Sequence, residues 1–245
     1  MSPSDLMHSY HKDGFAIAKD AFKLSDLLAV ADSMQYVLEK GHTSNGNSID
    51  DVILEREQEN HDLVYKASHA LGSSSSTYRL LGRSPILETV AHLWGVAETQ
   101  VHLTPMYLIA QLPSDGRFDY TWHQDAAYYR RFREVLTLWF PITHAASVEN
   151  GTISVLSGSH LQGMRPTATH QRHGFFRQIE ADVAEDEQEK PLLIDVGDCC
   201  LLHGHTVHRS VANRSTVPRV TGVVRLVNLT DEDVYDRELF YCTHK

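Results

Sequence analysis

Apolar positions in the first hundred residues recur mostly at helical intervals, whereas beyond residue 100 they collect in short runs of strand character. Residues 3–11 read as a short helix and Phe15-Ala16-Ile17-Ala18 as a strand. Ser25 is placed to cap a second helix, with Leu24 as its hydrophobic staple; Leu27, Leu28, Ala31, Met34, Val37 and Leu38 follow the 3.6 period, and Gly41 ends it. Residues 42–62 are polar and acidic with little periodicity, and Gly72 to Ser76 reads as a flexible link. Ser84 as N-cap and Pro85 at the first helical position open a helix that carries Ile86, Leu87, Val90, Leu93 and Trp94 as far as Gly95.

The strand-like runs cover 101–111, 135–142, 152–156, 192–196, 199–208 and 219–228, divided by turn residues. This spacing predicts an antiparallel sandwich or barrel with the helices packed outside it, a fold that is mainly β with flanking helices. Residues 163–190 interrupt the pattern. Their acidic end, Glu180 to Glu189, reads as a solvated loop, while Phe175, Phe176 and Arg177 are candidates for a lid. The expected organisation is one domain over 1–245: a helical part at 1–99 packed on a β core at 100–228, the insert at 163–190 and a tail at 229–245. No internal repeat, P-loop or GxGxxG is present.

Composition narrows the function. With 22 basic against 32 acidic side chains the net charge is −10, which argues against a partner rich in phosphate such as nucleic acid or an anionic membrane surface and for a small molecule. At 42% hydrophobic and 22% charged residues the chain is globular rather than disordered throughout. The N-terminus lacks the basic-then-apolar pattern of a secretory signal, and no apolar run approaches the roughly 20 residues that span a bilayer. Three cysteines, two of them adjacent at Cys199 and Cys200, suit a reducing compartment, and the expected location is cytoplasmic. Sixteen histidines stand out, since imidazole is both the commonest metal ligand and a proton carrier near neutral pH.

Two clusters of those histidines carry candidate chemistry. In Tyr120-Thr-Trp-His-Gln-Asp125, His123 and Asp125 lie two apart, so on a strand both would point to one side and reach one metal. Alone this HxD pattern is common. A second cluster, Gly197-Asp-Cys-Cys-Leu-Leu-His-Gly-His-Thr-Val-His208, is followed eleven positions later by Arg219. Two histidines and one carboxylate that leave three positions open form the non-haem Fe(II) oxygenase arrangement, whereas a structural zinc site is closed by four ligands.

HQD at 123–125, Glu149-Asn-Gly151 leading to Ser157-Gly-Ser-His160, Gly197-Asp198, and His208 with Arg219 resemble the phytanoyl-CoA dioxygenase-like family of Fe(II)/2-oxoglutarate-dependent oxygenases. The opening His11-Lys-Asp-Gly-Phe-Ala-Ile-Ala18 is also similar to that family's beginning. The resemblance implies a double-stranded β-helix core of jelly-roll or cupin type. It implies iron ligation by His123, Asp125 and His208, and Arg219 as partner of the far carboxylate of 2-oxoglutarate. A bidentate arginine suits that place on chemical grounds too, because a dicarboxylate with one end on a metal buries the other a molecule's length away.

His205 is the rival for the third ligand position, and His203 reads as a core residue. A hairpin through Ala212 to Thr216 would bring His208 and Arg219 onto neighbouring strands, which favours His208. Thr221, on the same strand face as Arg219, is a second candidate for the co-substrate. Gln111, sharing a face with Tyr107 and Ile109, is a candidate for its metal-proximal end. Arg225 has the same parity, and with Tyr128 and Tyr129 it is a candidate for the substrate pocket. Trp122 and Trp139 read as core aromatics, Arg130, Arg131 and Arg133 as a solvated basic patch, Asn150, Gly151 and Gly158 as turn residues, and the adjacent cysteines as buried packing.

The implied reaction uses Fe(II), 2-oxoglutarate and O₂, with ascorbate as reductant in vitro, to hydroxylate an unactivated C–H bond of a small metabolite with release of succinate and CO₂. No catalytic side chain beyond the iron ligands is expected. Halogenating relatives replace the ligand carboxylate by a small residue, so the presence of Asp125 favours hydroxylation, desaturation or ring formation. Two other readings use the same residues: a non-catalytic β-barrel binding or regulatory protein, and a zinc hydrolase.

Overall fold

A computed structural model describes residues 3–40, 48–129, 132–170, 176–179 and 189–230. Helices α1 (Pro3–Asp13), α2 (Leu24–Glu39), α3 (Ile49–Glu59), α4 (His61–Leu71), α5 (Ser75–Arg83) and α6 (Ile86–Trp94) occupy the first part of the chain, interrupted by strand β1 (Phe15–Ala18). Lys23, not Ser25, is the N-cap of α2, and it makes no side-chain cap bond. α6 follows Pro85, with Ser84 Oγ accepting from the Ile86 N–H, and closes at Gly95 in the left-handed region (φ 67°).

α3, α4 and α5 were not announced by periodicity. α3 starts at a reciprocal capping box between Ser48 and Asp51, and α4 at Asn60, whose side chain accepts from the Asp62 N–H. The buried face of α3 is Val52, Ile53, Arg56 and Glu57, so half of it is charged and the apolar period is masked. Those charges are matched: Arg56 Nε donates 2.8 Å to the Leu38 carbonyl, and Glu57 pairs with Arg117. The serines at 73–76 are likewise no link, because Ser74 caps α5 through the Thr77 N–H.

The strands are β2 (Val101–Leu103), β3 (Tyr107–Gln111), β4 (Val135–Pro141), β5 (Asn150–Leu156), β6 (Thr167–His170), β7 (Phe176–Ile179), β8 (Glu189–Pro191), β9 (Cys199–His203), β10 (His208–Asn213) and β11 (Arg219–Asn228). One sheet runs β1-β9-β4-β11-β2, with β3 also pairing β11; a second runs β10-β5-β8; β6 and β7 form a hairpin within the insert. Every pairing is antiparallel. With this many helices the chain is mixed α and β with antiparallel sheets, where a mainly β fold was expected. No helix among the described residues is long and apolar enough to cross a membrane.

Side-chain alternation along the large sheet sorts core from site. Leu136, Leu138 and Phe140 of β4, Cys199 and Leu201 of β9, and Val220, Val224 and Leu226 of β11 pack with the helices in one apolar core. Their neighbours of opposite parity, Thr137 and Trp139, Leu202, and Arg219, Thr221, Val223 and Arg225, line a cavity between the two sheets. Thr152, Ile153, His208, Arg209 and Ser210 of the small sheet line it from the other side.

Three strand boundaries differ from the sequence pattern. The 101–111 run breaks around Pro105, which cannot donate to a ladder. Residues 192–196 form only an isolated bridge, Ile194 to Ala146. The 199–208 run breaks at 204–207, where Gly204 packs so close to Val135 that a Cβ there would sit 2.9 Å from the valine. The break sends β9 to one sheet and β10 to the other, so strand parity between His203, His205 and His208 has no meaning. His208 and Arg219 therefore do not pair on a hairpin; they reach the same cavity from opposite sheets.

Candidate metal centre

His123 and Asp125 do not share a strand. His123 forms an isolated antiparallel bridge with His208, through N–H···O contacts of 2.9 and 3.0 Å, and Asp125 opens a 3-10 turn (Asp125–Tyr128). The bridge holds the two imidazoles side by side, ring centres 4.0 Å apart. Each ring is oriented by the carbonyl two residues before it: His123 Nδ1 lies 2.8 Å from the Thr121 oxygen and His208 Nδ1 3.0 Å from the Thr206 oxygen. A carbonyl only accepts, so Nδ1 carries the proton in both rings and Nε2 is left as a lone-pair donor, the tautomer a metal needs. Ligand atoms of His123, Asp125 and His208 lie within 4.8 Å of one another, all three residues buried. It is the one group of three or more such side chains found among the described residues.

Electrostatics prepares the trio for a cation. Burial pushes His123 down to about 3, helped by His208, and lowers His208 as well, so both rings are neutral at physiological pH. Burial alone would raise Asp125, yet Arg225, the two histidines and the Thr137 hydroxyl outweigh it and hold the carboxyl below its ordinary value. Arg225 Nη2 donates to Asp125 Oδ1 at 3.0 Å and Thr137 Oγ1 donates to Oδ2 at 2.5 Å. Arg225 and Thr137 are direct cross-strand partners on β11 and β4, so one register position supplies both donors.

At the other end of β11, Arg219 is 2% exposed and has no carboxylate partner among the described residues: it donates to Gln111 Oε1 at 2.5 Å, to the Thr221 hydroxyl, and to the Asn150 carbonyl at 3.3 Å. Its guanidinium lies 5.0 Å from the Trp139 ring centre. Burial pushes its pKa down to about 9, a cation waiting for an anion. Gln111 is the register partner of Arg219 and is fixed by the Val211 carbonyl at 3.0 Å and by Asp119 at 3.3 Å. Gly151, with φ +87°, gives Gln111 its room, since a Cβ there would run into the amide. If Arg219 holds the far carboxylate expected of it, Gly151→Ala should displace Gln111 from Arg219 and raise the co-substrate requirement about tenfold with metal affinity unchanged, measured by co-substrate titration and by metal binding.

The remaining candidates fall as follows. Ile109, Gln111, Thr221, Arg225 and Trp139 line the cavity, while Tyr128 and Tyr129 are not in its wall. Tyr128 accepts from the Arg177 N–H at 2.9 Å, on the insert hairpin, and Tyr129 packs with Phe132, Val135 and Val227. Phe118 and Tyr120 hold the wall positions expected of those tyrosines. Trp122 lies outside, under the Arg209 guanidinium at 5.1 Å and beside Ile179 of the hairpin. Cys199 and Cys200 are buried free thiols, as packing residues would be. Arg130, Arg131, Phe175, residues 180–188 and most of the tail are outside the described residues, and so is the side chain of Phe176.

Sequence reasoning passed over Gln124, the middle residue of the HQD triplet. Fully buried, it donates to the carbonyls of Gly163 (2.8 Å) and His205 (2.6 Å) and accepts from the Arg165 N–H (2.8 Å), tying the ligand loop to the insert and to the 204–207 turn. Glutamine's even hydrogen-bonding capacity gave no cue.

His205 is not in the trio. Its ring stands 5.3 Å from His203, which meets His160 at 5.1 Å and Tyr10 at 5.6 Å in a separate cluster against α1. Burial first, then His160, His205 and His11, push His203 down to about 4. Because the unfolded chain binds a proton near pH 6.5 that the folded chain takes up only near 4, this residue's contribution to stability is complete above 6.5 and declines as pH falls through that window. Denaturant unfolding at pH 8 and pH 5 should differ by up to about 2 kcal/mol on its account, a difference that His203→Asn removes.

Comparison with known proteins agrees with this geometry. The family described as phytanoyl-CoA dioxygenase (PhyH) matches residues 10–221. A curated relative, phytanoyl-CoA dioxygenase domain-containing protein 1 of Danio rerio, is 25% identical over 194 residues, 77% of this chain and 63% of that protein. Its counterpart in Rattus norvegicus is 28% identical over 160 residues, 62% of this chain and 53% of that protein. The chain thus spans between half and two thirds of these relatives' length. Among solved structures, the epimerase SnoN in complex with Fe3+, alpha ketoglutarate and nogalamycin RO superposes with a TM-score of 0.66 at 17% identity, over 92% of this chain and 83% of that one. The non-heme monooxygenase ThoJ, in apo form, superposes with a TM-score of 0.64 at 20% identity, over 91% and 77%. EvdO2 from Micromonospora carbonacea var. aurantiaca, complexed with 2-oxoglutarate, gives 0.63 at 17% identity, over 91% and 90%. A family match that runs from the last turn of α1 into β11 and takes in all three buried ligand candidates leaves one assignment: the chain belongs to the phytanoyl-CoA dioxygenase (PhyH) family, within the Fe/2-oxoglutarate-dependent oxygenase superfamily.

Proposed function

We propose that this chain holds Fe(II) through His123, Asp125 and His208 and 2-oxoglutarate through Arg219, Thr221 and Gln111, and hydroxylates an unactivated C–H bond of a small metabolite with release of succinate and CO₂. The observation that carries the reading is the pairing of a buried ligand trio with a buried arginine that has no carboxylate partner among the described residues, in the walls of one cavity. The donor set fits the ion: two neutral imidazoles and an ionised carboxylate, with no thiolate among them, suit Fe(II) and leave coordination positions open. When bound, iron supplies the O₂ activation that no side chain can perform. We read the two facing sheets as a double-stranded β-helix core within one domain over 1–245, and a cytoplasmic setting fits the buried free thiols.

The protein's own contribution is positional. Thr121 and Thr206 carbonyls fix the imidazole tautomers, and Arg225 and Thr137 fix the carboxylate. Arg219 binds the distal carboxylate of the co-substrate, with Thr221 and Gln111 setting its fork and the Trp139 ring covering one face. Ile109, Ile153, Leu202 and Val223 make the wall apolar, which keeps bulk water from the reacting centre. Solved structures that share this fold include a monooxygenase, an epimerase and a carbocyclase, so one fold serves several outcomes. The test is anaerobic addition of Fe(II) and 2-oxoglutarate, which should produce the visible charge-transfer band of the chelate, followed by a metabolite screen for substrate-stimulated succinate release in air with ascorbate. A product heavier by one oxygen establishes hydroxylation; an isomer or a product two hydrogens lighter replaces it. A preference for Zn(II) with no band would return the zinc hydrolase reading.

A further inference from the structure

The charges that line the cavity do not balance once it is loaded, and the imbalance has an address. Its charged wall residues are Asp125, Arg209, Arg219 and Arg225. Arg209 is met by Glu189 at 2.6 Å. As iron ligands His123 and His208 would be neutral, because a metal-bound imidazole gives its lone pair to the ion. Resting on the iron and 2-oxoglutarate reading above, the two carboxylates of the co-substrate offset the two charges of Fe(II), and Asp125 offsets one arginine; the charge of the other arginine is left over. Asp119 approaches this system only through Gln111 and is itself exposed, where water screens it.

Arg219 and Arg225 are not equivalent recipients for a further anion. Six residues apart on one strand face, their Cα atoms are separated by about 20 Å. Arg219 is sealed, 2% exposed, with Gln111, Thr221 and Asn150 around it. The Arg225 side chain keeps 20% of its surface exposed, so solutes can reach it. Its Nη2 is occupied by Asp125, but its Nε–H is shielded from water with no hydrogen-bond partner among the described residues. An N–H of a charged guanidinium in that condition is costly unless an acceptor arrives. The Tyr107 ring, 5.4 Å from the guanidinium carbon, braces the group from one side, and Phe118, Tyr120 and Ile109 supply apolar wall in the same cavity.

We propose that Arg225 is a specificity-determining residue and that the substrate is a monoanion, a carboxylate or comparable oxyanion on a largely apolar body, whose oxygen pairs with the Arg225 guanidinium. The substrate would then complete the charge balance of the loaded site.

Matched pairs of small probes test this directly: phenylacetate against phenylacetamide, and cyclohexanecarboxylate against cyclohexanecarboxamide, titrated calorimetrically into the anaerobic Fe(II)·2-oxoglutarate holoprotein. With the co-substrate saturating, Arg219 is unavailable to the probe. The expected result is that each carboxylate binds at least tenfold more tightly than its amide in the wild type. In Arg225→Lys, which keeps a cation beside Asp125, the preference should persist; in Arg225→Gln it should fall to within twofold, read on the fraction of protein that shows the Fe(II)·2-oxoglutarate band. Equal binding of acid and amide by the wild type, or no binding of either, overturns the proposal, as does an Arg225→Gln protein that keeps the tenfold preference. If Arg225→Gln loses iron, because Asp125 loses its support, the wild-type and Arg225→Lys comparisons still decide. Absence of the chelate band in the wild type retires the iron reading and this inference with it; a normal band without anion preference retires this inference alone.

Discussion

Asp125→Ala is expected to abolish substrate-dependent succinate formation, to below about 1% of wild type, and to lower iron content after anaerobic reconstitution. The carboxylate is the single anionic ligand in a pocket whose other two donors are neutral, so its loss removes the principal Coulombic attraction for a divalent ion. Losing it also leaves Arg225 without the carboxylate that now sits 3.0 Å away, and breaking a buried pair on one side costs about 3–5 kcal/mol at the upper end. The variant is therefore best compared with Asp125→Asn, which removes the charge but keeps one carbonyl oxygen as acceptor for Arg225, while its amide NH2 can donate to the Thr137 hydroxyl. Wild-type turnover in either variant would take Asp125 out of the ligand set.

Arg219→Ala is expected to raise the 2-oxoglutarate requirement by about 100-fold or more with Fe(II) binding largely intact. Truncating one side of a buried, hydrogen-bonded charge pair costs about 2–5 kcal/mol, and the described hydrogen-bond partners of the guanidinium are all neutral, so none of them can substitute. Arg219→Lys restores charge but not the fork that meets Gln111 and Thr221, so partial recovery is expected. Co-substrate titration of succinate release, with metal affinity measured separately, checks both halves. An unchanged dependence moves the co-substrate elsewhere in the cavity.

How far the sequence reached depended on which physical constraint acted on each segment. β11 could be read to the residue, since strict alternation over ten positions put Arg219, Thr221 and Arg225 on one face, and all three line the cavity. The HxD geometry could not, because its residues lie on a bridge and a turn rather than a strand, and neither has a periodicity to detect. α3 escaped because Arg56 and Glu57 face inward, each with a partner far away in sequence, so burial there looks like exposure. The 204–207 break was hidden inside an apolar run, and missing it put His208 and Arg219 on one hairpin. They reach one cavity nonetheless, for a reason that only the two-sheet arrangement supplies. Family resemblance bridged that gap, carrying His208 ahead of His205 where local spacing had no valid argument.

The two-sided use of β11 also says what kinds of change the chain can absorb. Val220, Val224 and Leu226 serve the helical core, and Arg219 and Arg225 on the opposite face serve the cavity. Substitutions on the first face can be compensated by repacking, so that side is open to drift and to engineering. A one-residue insertion or deletion within the strand has no such remedy: it would turn the arginines into the apolar layer and the valines toward the iron ligands, at a stroke costing both stability and chemistry. Length variation in relatives should therefore gather in the loops around this strand and spare the strand itself.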